Sequence, residues 1–395
     1  MKINGFLKDV TGAGRVTKAR RELIQSGSPE NHYTDPIADL ARELHPDVTH
    51  VKVIKVEDVS PTARMFTFVA DQGDKLPPFQ AGQYCALDLK IGDTVTERPY
   101  SICSAPFQAR SGEQPFFCLT IRNGRPGTGF ASSWIYSNVK AGDTFTAHLP
   151  FGEFYYEPLR DARHVVGLAG GSGITPFYSM AKEIEHGTLD MDLTILYGSV
   201  STKDIILENQ LSAIKSDHVR FVNVISGDED YDGEKGFLTA DLIKKYSSDD
   251  TTYFVCGPLP MYNFVSGELA KLDVPKRRIR MEVFGAPRDV TKAKGYPADA
   301  KPATFHIHVL RGIQDDVIEA SSLEPIAVSL ERAGIPNNTR CRSGACGWCR
   351  SKVVEGDYFV PETGDGRRYA DKQFNYVHAC STWPLSDMTI RIPIK

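Results

Sequence analysis

The sequence predicts a multidomain chain in which a small antiparallel β-barrel precedes a doubly wound α/β domain and a small α+β domain. Three observations predict this order. Short β-rich runs separated by Gly, Pro and Asp begin at His50, and apolar strands alternate with helical stretches from residue 164 onward. Half of the eight cysteines then lie close to the C-terminus, in residues 341–395.

Length and composition restrict the class of protein. A chain of 395 residues suggests about two to four domains. Its content of 41% hydrophobic and 24% charged residues is typical of globular proteins with large cores. A net charge of −4 disfavours a dedicated nucleic-acid binder or membrane-surface protein. The sequence shows no apolar run of ~18 residues and no secretory signal, so we expect a cytoplasmic protein whose thiols stay reduced.

The barrel is predicted after an N-terminal extension. Residues 1–48 lack strand alternation and have no role that the sequence reveals, although "PIADLAREL" predicts a short helix after Asp35-Pro36. Residues 49–158 contain the β-rich runs "VKVIKVEDV", "ARMFTFVA", "GQYCALDLKI" and "FFCLTIRN". Strands at this spacing predict a small antiparallel barrel.

The second domain is predicted over residues 159–285. "HVVGLAGGSGITPFYSMAKEIE" has the order strand, glycine turn and helix, and "DLTILYGSV", "HVRFVNVIS" and "TTYFVCGPLPMYNFVSGELAKL" supply three more strands. Apolar strands that alternate with helices predict a parallel, doubly wound sheet. Residues 286–303 are rich in Gly, Pro and Lys and predict a linker, and residues 304–395 form the predicted α+β unit.

The C-terminal cysteines have a spacing with a specific chemical meaning. Cys341, Cys346 and Cys349 are separated by four and two residues, and Cys380 follows after thirty more. A reduced compartment disfavours disulfides, and structural zinc typically uses two short Cys-x₂₋₄-Cys knuckles, whereas this chain has one triplet and a distant cysteine. The spacing is instead that of a plant-type [2Fe–2S] cluster. Two glycines in the loop allow backbone N–H groups to approach the bridging sulfides.

A one-electron carrier needs an electron source, and "ERPYSICSAP" (97–106) offers a flavin site. Its arginine can pair with a flavin phosphate, its tyrosine can stack on the ring system, and its serine can hydrogen-bond near the reactive N5. On composition alone, a barrel strand with an incidental surface arginine is the simpler explanation. "GTGFASSW" (127–134) can begin a helix whose N–H groups meet a pyrophosphate, which favours FAD over FMN.

A nucleotide-binding turn is the third candidate motif. "LAGGSGITP" (168–176) follows an apolar strand and precedes a helix, which is the context of a dinucleotide turn, although it is not G-x-G-x-x-G. "YGSV" and "VCGPLPM" end later strands of the same predicted sheet. The carboxyl ends of parallel strands line the crevice in which such sheets bind ligands.

Together, these motifs resemble the ferredoxin–NADP reductase superfamily. They are most similar to its three-part reductases with a C-terminal plant-type ferredoxin domain, as in oxygenase reductase components. The resemblance covers residues 50–395, with four motifs in the family order. It implies a FAD-binding barrel, an NAD(P)H-binding α/β domain and a β-grasp-like [2Fe–2S] ferredoxin domain.

The resemblance also implies the site residues. The residues expected to bind the flavin are Arg98, Pro99, Tyr100, Ser101, Thr120, Ile121, Arg122, Gly129, Phe130, Ala131, Ser132 and Ser133. Those expected at the nicotinamide nucleotide or beside the nicotinamide are Gly171, Ser172, Gly173, Ile174, Thr175, Pro176, Ser199, Cys256, Gly257, Pro258, Met261 and Phe284. Those expected at the reacting centre are Tyr100, Ser101, Cys256 and Glu282, and the expected cluster ligands are Cys341, Cys346, Cys349 and Cys380.

The preferred nucleotide is predicted from one position at which this sequence departs from the family pattern. NADP-using members often carry an arginine after the serine of the "GS" motif, where it meets the 2′-phosphate. Val200 occupies that position here, so we expect NADH, and Lys203 nearby keeps NADPH open.

The implied function is electron transfer from NADH through FAD and [2Fe–2S] to a partner protein, as in a multicomponent oxygenase or demethylase. One alternative is a reductase for an oxygen-independent partner, such as a hybrid-cluster or corrinoid protein. A different class is a redox sensor in which cluster oxidation moves residues 1–48. The residues themselves do not separate these functions.

Basic residues surround the predicted cluster. Arg340, Arg342, Arg350 and Lys352 occur without any acidic residue from 339 to 354. Either these charges are solvated and neutralised elsewhere in the fold, or they form a basic rim that meets an acidic docking face on the partner.

Overall fold

The computed structural model describes residues 5–27, 34–124, 129–287, 289–362 and 365–393. The chain divides into two compact units, Met1–Arg42 and Glu43–Lys395. In the described part of the chain before the first strand there are two helices, α1 (Phe6–Ser26) and α2 (Pro36–Leu44). The second matches the helix predicted from "PIADLAREL", and the first was not predicted. No helix in the described ranges is long and apolar enough to cross a membrane.

The first sheet is a six-stranded antiparallel barrel with the order β4-β3-β6-β1-β2-β5. Its strands are β1 (Thr49–Ser60), β2 (Ala63–Ala70), β3 (Tyr84–Ile91), β4 (Thr94–Ser101), β5 (Phe116–Arg122) and β6 (Thr144–Phe151). Ile102, directly after β4, forms a bridge with Leu119 of β5, so the two ends of this strand order meet. Helix α3 (Phe130–Asn138) packs Ala131 and Ile135 on the barrel core. The predicted barrel is confirmed.

The second sheet is parallel throughout and has the order β10-β9-β8-β7-β11-β12. Its strands are β7 (His164–Gly170), β8 (Asp192–Ser199), β9 (Val219–Ile225), β10 (Glu234–Lys235), β11 (Thr251–Cys256) and β12 (Ile279–Glu282). Its helices are α4 (Thr175–His186), α5 (Glu208–Ser212), α6 (Ala240–Lys245) and α7 (Leu259–Lys271). The chain runs outward from β7 to β10 and then returns to the other side of β7 as β11. The carboxyl ends of β7 and β11 therefore form the topological switch point, where such sheets bind ligands.

The third sheet is mixed, with the order β14-β13-β19-β15-β17, and a separate pair joins β16 to β18. The strands are β13 (Thr304–Arg311), β14 (Gln314–Ser321), β15 (Arg350–Glu355), β16 (Tyr358–Phe359), β17 (Tyr376–His378), β18 (Trp383–Pro384) and β19 (Met388–Arg391). The helices are α8 (Ile326–Arg332) and α9 (Tyr369–Gln373). Apolar side chains of α8 and the sheet share one buried core, which confirms the α+β unit.

The segment between the second and third sheets has little regular structure. Among its described residues, 286–303 contain one short 3₁₀ turn, Val290–Lys292. The barrel and the α+β unit each have a core of their own, and the parallel sheet has one on each face. The exact boundaries of the extension, the three domains and the linker remain predictions.

Candidate functional site

The four C-terminal cysteines converge although thirty residues separate the last one from the other three. The Sγ atoms of Cys349 and Cys380 lie 3.3 Å apart. The backbone N–H groups of Ser343 and Cys346 point at the Sγ of Cys341, at 3.5 Å and 3.4 Å. The loop turns through Gly344 and Gly347, whose φ angles of 81° and 77° favour glycine. Four thiols with backbone donors around them are the donor set of a [2Fe–2S] cluster, so the residues fit this group.

The predicted flavin motif and the predicted pyrophosphate helix meet at the barrel surface. Tyr100 on β4 hydrogen-bonds through its hydroxyl to Ser132 Oγ in the first turn of α3, at 3.2 Å. Gly129 precedes this helix with a φ of 71°, which lets the chain turn into it. Residues 127 and 128 of the motif lie outside the described residues. The first turn of α3 therefore lies beside the "RPYS" strand, as a flavin site requires.

The remaining predicted flavin residues lie close to these two elements. The backbone N–H of Gly124 donates to Ser133 Oγ at 3.0 Å, which joins the end of β5 to α3. Arg122 forms an ion pair with Asp204 of the second domain. Pro99 lies on β4, Thr120 and Ile121 are buried on β5, Ala131 is buried in α3, and Phe130 is exposed.

Ser101 and Glu282 meet across the interface between the barrel and the parallel sheet. The Ser101 hydroxyl donates to Glu282 Oε2 at 3.1 Å, and both residues are buried. Burial raises the pKa of Glu282 to about 8, and the bond from Ser101 opposes this shift. Cys256 is the register partner of Glu282 on the neighbouring strand, and burial raises the pKa of its thiol. A protonatable carboxyl and a neutral thiol therefore lie together beside the flavin strand.

The glycine turn after β7 packs directly on the "CGP" motif after β11. A Cβ on Gly173 would lie 2.1 Å from the carbonyl oxygen of Cys256, so only glycine fits there. The turn Gly171–Ile174 is held by the Thr175 hydroxyl, which donates to Ser172 O at 2.9 Å, and by the Tyr197 hydroxyl. This contact places the predicted nucleotide residues at the switch point of the sheet.

The other predicted nucleotide residues surround the same edge. Met261 Sδ lies against Gly170 and Gly257, since a Cβ on either glycine would lie 2.5 Å from this sulfur. Pro258 precedes α7, and Pro176 lies in the first turn of α4. Phe284 stacks edge-on against Tyr84 of the barrel, with ring centroids 5.3 Å apart.

The loop after β8 presents the residues predicted to select the nucleotide. Ser199 ends the strand, and Val200 is 66% exposed. Asp228 accepts hydrogen bonds from the backbone N–H and hydroxyl of Thr202, both at 2.7 Å, and these bonds lower its pKa. The carboxylate of Asp228, which is ionised at neutral pH, therefore bonds to Thr202, two residues after Val200 in this loop.

Comparisons with known proteins give the family. Residues 50–156 match an oxidoreductase FAD-binding domain, residues 168–267 an oxidoreductase NAD-binding domain, and residues 314–385 a 2Fe-2S iron-sulfur cluster binding domain. The chain belongs to the ferredoxin–NADP reductase superfamily. It is an NAD(P)H-dependent electron-transfer oxidoreductase, and the domains confirm the predicted cofactors FAD, NADH and a [2Fe–2S] cluster.

Several named proteins are similar to this reductase over most of its length. It is 28% identical to the glycine betaine monooxygenase reductase subunit of Pseudomonas aeruginosa, in an alignment that covers 86% of this chain and 94% of that protein. It is 27% identical to the 3-ketosteroid-9-alpha-monooxygenase ferredoxin reductase component of Mycobacterium tuberculosis, over 90% of this chain and 98% of that protein. It is also 27% identical to NADH oxidoreductase HCR of Escherichia coli, over 79% of this chain and 89% of that protein.

A solved structure shows the same fold. Phthalate dioxygenase reductase aligns with a TM-score of 0.62 and 21% identity, over 91% of this chain and 100% of that chain. Its modular arrangement supports the order of the three domains described above.

The cluster loop of this reductase packs against the flavin barrel. Trp348 lies edge-on to Phe151 of β6, with ring centroids 5.6 Å apart. The guanidinium of Arg340 lies 5.4 Å from the ring centroids of both aromatic residues and forms a buried ion pair with Glu97 of β4. Tyr84 lies next to Phe151, with centroids 5.9 Å apart. Trp348 therefore contacts the barrel, although it stays 49% exposed.

A second ion-pair group joins the same two domains. Glu331 of α8 accepts from Arg98 Nη1 of the barrel at 3.2 Å and from Arg342 Nη2 of the cluster loop at 3.2 Å. The carboxylate is nearly inaccessible, with 3% of its side chain exposed. Burial, followed by the charge of Arg342, lowers the pKa of Arg98 to about 10.

These contacts correct the predicted basic rim. Arg340 and Arg342 expose only 5% and 13% of their side chains and are paired with Glu97 and Glu331. Both acids lie outside residues 339–354, so the sequence around the cysteines does not show that these two arginines are neutralised. Arg350 still exposes 49% of its side chain. The prediction of a basic rim is therefore wrong for the two arginines that flank Cys341.

The sequence also missed residues that shape the site. No role was predicted for Tyr84, Glu97, Phe151 or Glu331, because their role comes from contacts between domains. One signal was present: Glu97 precedes the "RPYS" motif directly and is a charged residue inside a predicted barrel strand. A buried charge in such a strand indicates a specific partner.

Proposed function

We propose that this reductase is the electron-transfer component of a multicomponent oxygenase or demethylase. Two of the similar proteins are named as reductase components of monooxygenases and align over nearly their whole length. Held by the residues described above, the flavin and the cluster would supply the conversion of a two-electron hydride from NADH into single electrons for the partner. The protein supplies binding, orientation and a site from which water is excluded.

The proposed roles of the residues follow from their placement. Arg98, Tyr100, Ser101 and the first turn of α3 bind the flavin, and the presence of that turn beside "RPYS" supports FAD over FMN. Gly171–Ile174 and the "CGP" turn hold the nicotinamide nucleotide at the switch point. Buried Glu282 holds a proton next to Ser101 at neutral pH. The four cysteines supply the thiolates that ligate the cluster.

The observation that carries this proposal is the packing of the cluster loop on the flavin barrel. Arg340 directly precedes Cys341, Trp348 directly precedes Cys349, and both side chains lie on Phe151. Electron transfer between two centres requires close approach, and this packing brings the cysteine loop to the domain that binds the flavin. An isolated ferredoxin-like module on a long tether would lack such buried contacts.

We further propose that the partner presents an acidic docking face and that the protein acts in the cytoplasm. Arg340 and Arg342 are unavailable for docking, so the proposal depends on the cations that stay exposed, such as Arg350. NADH oxidoreductase HCR, whose name mentions no oxygenase, supports the alternative of an oxygen-independent acceptor. Thiolate ligands and a reduced nicotinamide pool support a cytoplasmic setting.

The test uses the purified holoprotein and the oxygenase component encoded nearest to its gene. We expect NADH-dependent reduction of that oxygenase and substrate-dependent oxygen consumption, both lost when Cys346 is replaced by Ser. Reduction of a neighbouring hybrid-cluster or corrinoid protein, with no reduction of any oxygenase, would favour the alternative. A redox sensor would show little NADH turnover with either acceptor.

A further inference from the structure

The segment around α9 belongs to the same domain as the cluster loop and packs against one side of that loop. A Cβ on Gly366 would lie 2.6 Å from the carbonyl oxygen of Gly344 and 2.7 Å from Cα of Ala345. The Nδ1 of His378 donates to the same Gly344 oxygen at 2.5 Å. Trp348 and Arg340 of the loop contact the barrel instead. The loop thus has one contact with the flavin domain and another with the α9 segment.

Two large aromatic side chains are exposed on this segment. Tyr369 begins α9 and is 83% exposed, and Phe374 directly follows the helix and is 58% exposed. Single exposed apolar residues are normal on protein surfaces, whereas grouped exposed apolar residues mark interaction sites, and these two aromatics lie at the two ends of one short helix. Tyr and Phe are enriched at the centres of protein–protein interfaces.

The charges around these aromatics are layered. Asp371 and Asp365 expose only 6% and 15% of their side chains, whereas Arg350 and Lys372, which pair with them at 3.2 Å and 3.0 Å, expose 49% and 50%. Arg368 is exposed as well. The acids therefore lie inside and the cations outside, so the outer layer of this surface is positive although several pairs are formed.

We infer that an α9 surface, made of Arg350, Arg368, Tyr369, Lys372 and Phe374, is where the electron acceptor docks. Arg350 directly follows the predicted ligand Cys349, so a protein seated on this surface approaches the cluster loop. The cations select an acidic protein face, and the aromatics supply apolar contact at its centre. This inference rests on the proposed function, because it names the surface through which that electron transfer leaves the chain.

The test uses two acceptor proteins of opposite charge with the NADH-reduced holoprotein. Cytochrome b5, an acidic one-electron acceptor, is expected to be reduced ~10-fold or more faster at low than at high ionic strength, because complementary charge accelerates encounter. Cytochrome c, a basic acceptor, is expected to show no such loss with added salt. Ferricyanide reduction and the visible spectrum of the cluster report that the flavin and cluster stay intact.

Variants assign this salt dependence to the α9 surface. Arg368→Glu/Lys372→Glu is expected to reduce the cytochrome b5 rate at low salt by about the same ~10-fold and to remove most of its salt dependence. Tyr369→Ala is expected to lower the rate at all salt concentrations. The control Lys215→Glu/Lys244→Glu makes the same charge change at exposed residues of the nucleotide domain and is expected to keep the native rates.

Separate results would overturn the inference and the proposed function. If NADH reduces the cluster but both α9 variants reduce cytochrome b5 at the native rate, the docking surface lies elsewhere. If the control double variant loses as much rate as the α9 variant, net charge and not this surface causes the effect. If NADH reduces the flavin and never the cluster, the proposed electron transfer fails whatever surface is involved.

Discussion

Glu331 of the ferredoxin domain pairs with Arg98 of the flavin barrel, with Oε1 and Nη1 3.2 Å apart. The same carboxylate pairs with Arg342, next to the predicted ligand Cys341. One buried acid therefore connects the strand predicted to bind the flavin phosphate with the loop predicted to bind the cluster. Since removing one partner of a buried ion pair leaves the others uncompensated, the contact constrains the relative placement of these two elements.

Replacing Glu331 by Gln is expected to slow electron transfer from flavin to cluster. Breaking a buried pair by removing one partner typically costs about 3–5 kcal/mol, so the domain contact should loosen. Displacement of reacting groups by about 1 Å can cost ~100-fold in rate. Rapid mixing with NADH should show flavin reduction at the native rate and cluster reduction slowed by ~10-fold or more.

Two controls distinguish this effect from a general loss of stability. Glu331→Asp keeps the charge and is expected to recover part of the rate. Glu268→Gln removes a largely buried carboxylate paired with Lys271 in the nucleotide domain and is expected to leave cluster reduction unchanged. Native cluster reduction in Glu331→Gln would show that this contact does not position the two centres.

The buried carboxyl of Glu282 predicts a pH dependence of hydride transfer. Its pKa is raised from 4.5 to about 8, so it is protonated in the folded protein at neutral pH and ionises as the pH rises through about 8. A new negative charge beside the flavin strand opposes flavin reduction. The rate of flavin reduction by NADH should therefore fall above about pH 8, and Glu282→Gln should remove this inflection.

The same shift has a consequence for stability. A carboxyl whose pKa is raised on folding stabilises the folded state below pH 4.5 and loses that contribution as the pH rises to about 8. The melting temperature of the native protein should therefore fall more over this window than that of Glu282→Gln. Parallel melting curves for the two proteins would contradict the buried, protonated state.

Val200→Arg is expected to raise the efficiency with NADPH. Val200 is exposed on the loop after β8 and cannot pair with a 2′-phosphate, whereas an arginine there adds a charge-assisted contact of about 1.5–3 kcal/mol. Asp228, close to this loop, should still oppose the phosphate, so Val200→Arg/Asp228→Asn is expected to gain more. Steady-state kinetics with both nucleotides measure this. A native preference for NADPH would contradict it and implicate Lys203.

Truncation after residue 303 is expected to separate the two halves of the activity. The barrel and parallel sheet have buried cores that exclude the third sheet. The truncated protein should still oxidise NADH with an artificial two-electron acceptor and should no longer reduce cytochrome c. Reduction of cytochrome c at the full rate by the truncated chain would show that electrons leave from the flavin directly.

Local signals in the sequence were sufficient for the fold and most motif positions. The alternation of "VKVIKVEDV" and "ARMFTFVA" gave two neighbouring barrel strands, and the strand, turn and helix of "LAGGSGITP" appear as predicted. Helix α1 was missed because its exposed apolar residues, such as Val10, Val16 and Leu23, lack a strong helical period. None of the described side chains of this helix, residues 10–26, is buried, and a helix face that is not buried leaves little pattern in a sequence.

Contacts between domains could not be predicted from the same signals. Arg340 and Arg342 looked exposed because no acid is near them in the sequence, and their partners Glu97 and Glu331 lie in distant elements. The surface charge near the cluster depends on which cations remain after such pairs form. That selection is a property of tertiary packing, and it moved the proposed docking surface from the residues around Cys341 to α9.

The most direct test of the account is an anaerobic NADH titration of the holoprotein, followed by visible spectroscopy and low-temperature electron paramagnetic resonance. We expect one flavin and one [2Fe–2S] cluster per chain, with both reduced by NADH and the cluster signal lost in Cys346→Ser. Iron and zinc analysis of the same sample should give two irons per chain and no zinc. Zinc in place of iron, or a cluster that stays oxidised while the flavin is fully reduced, would contradict the proposed transfer from flavin to cluster.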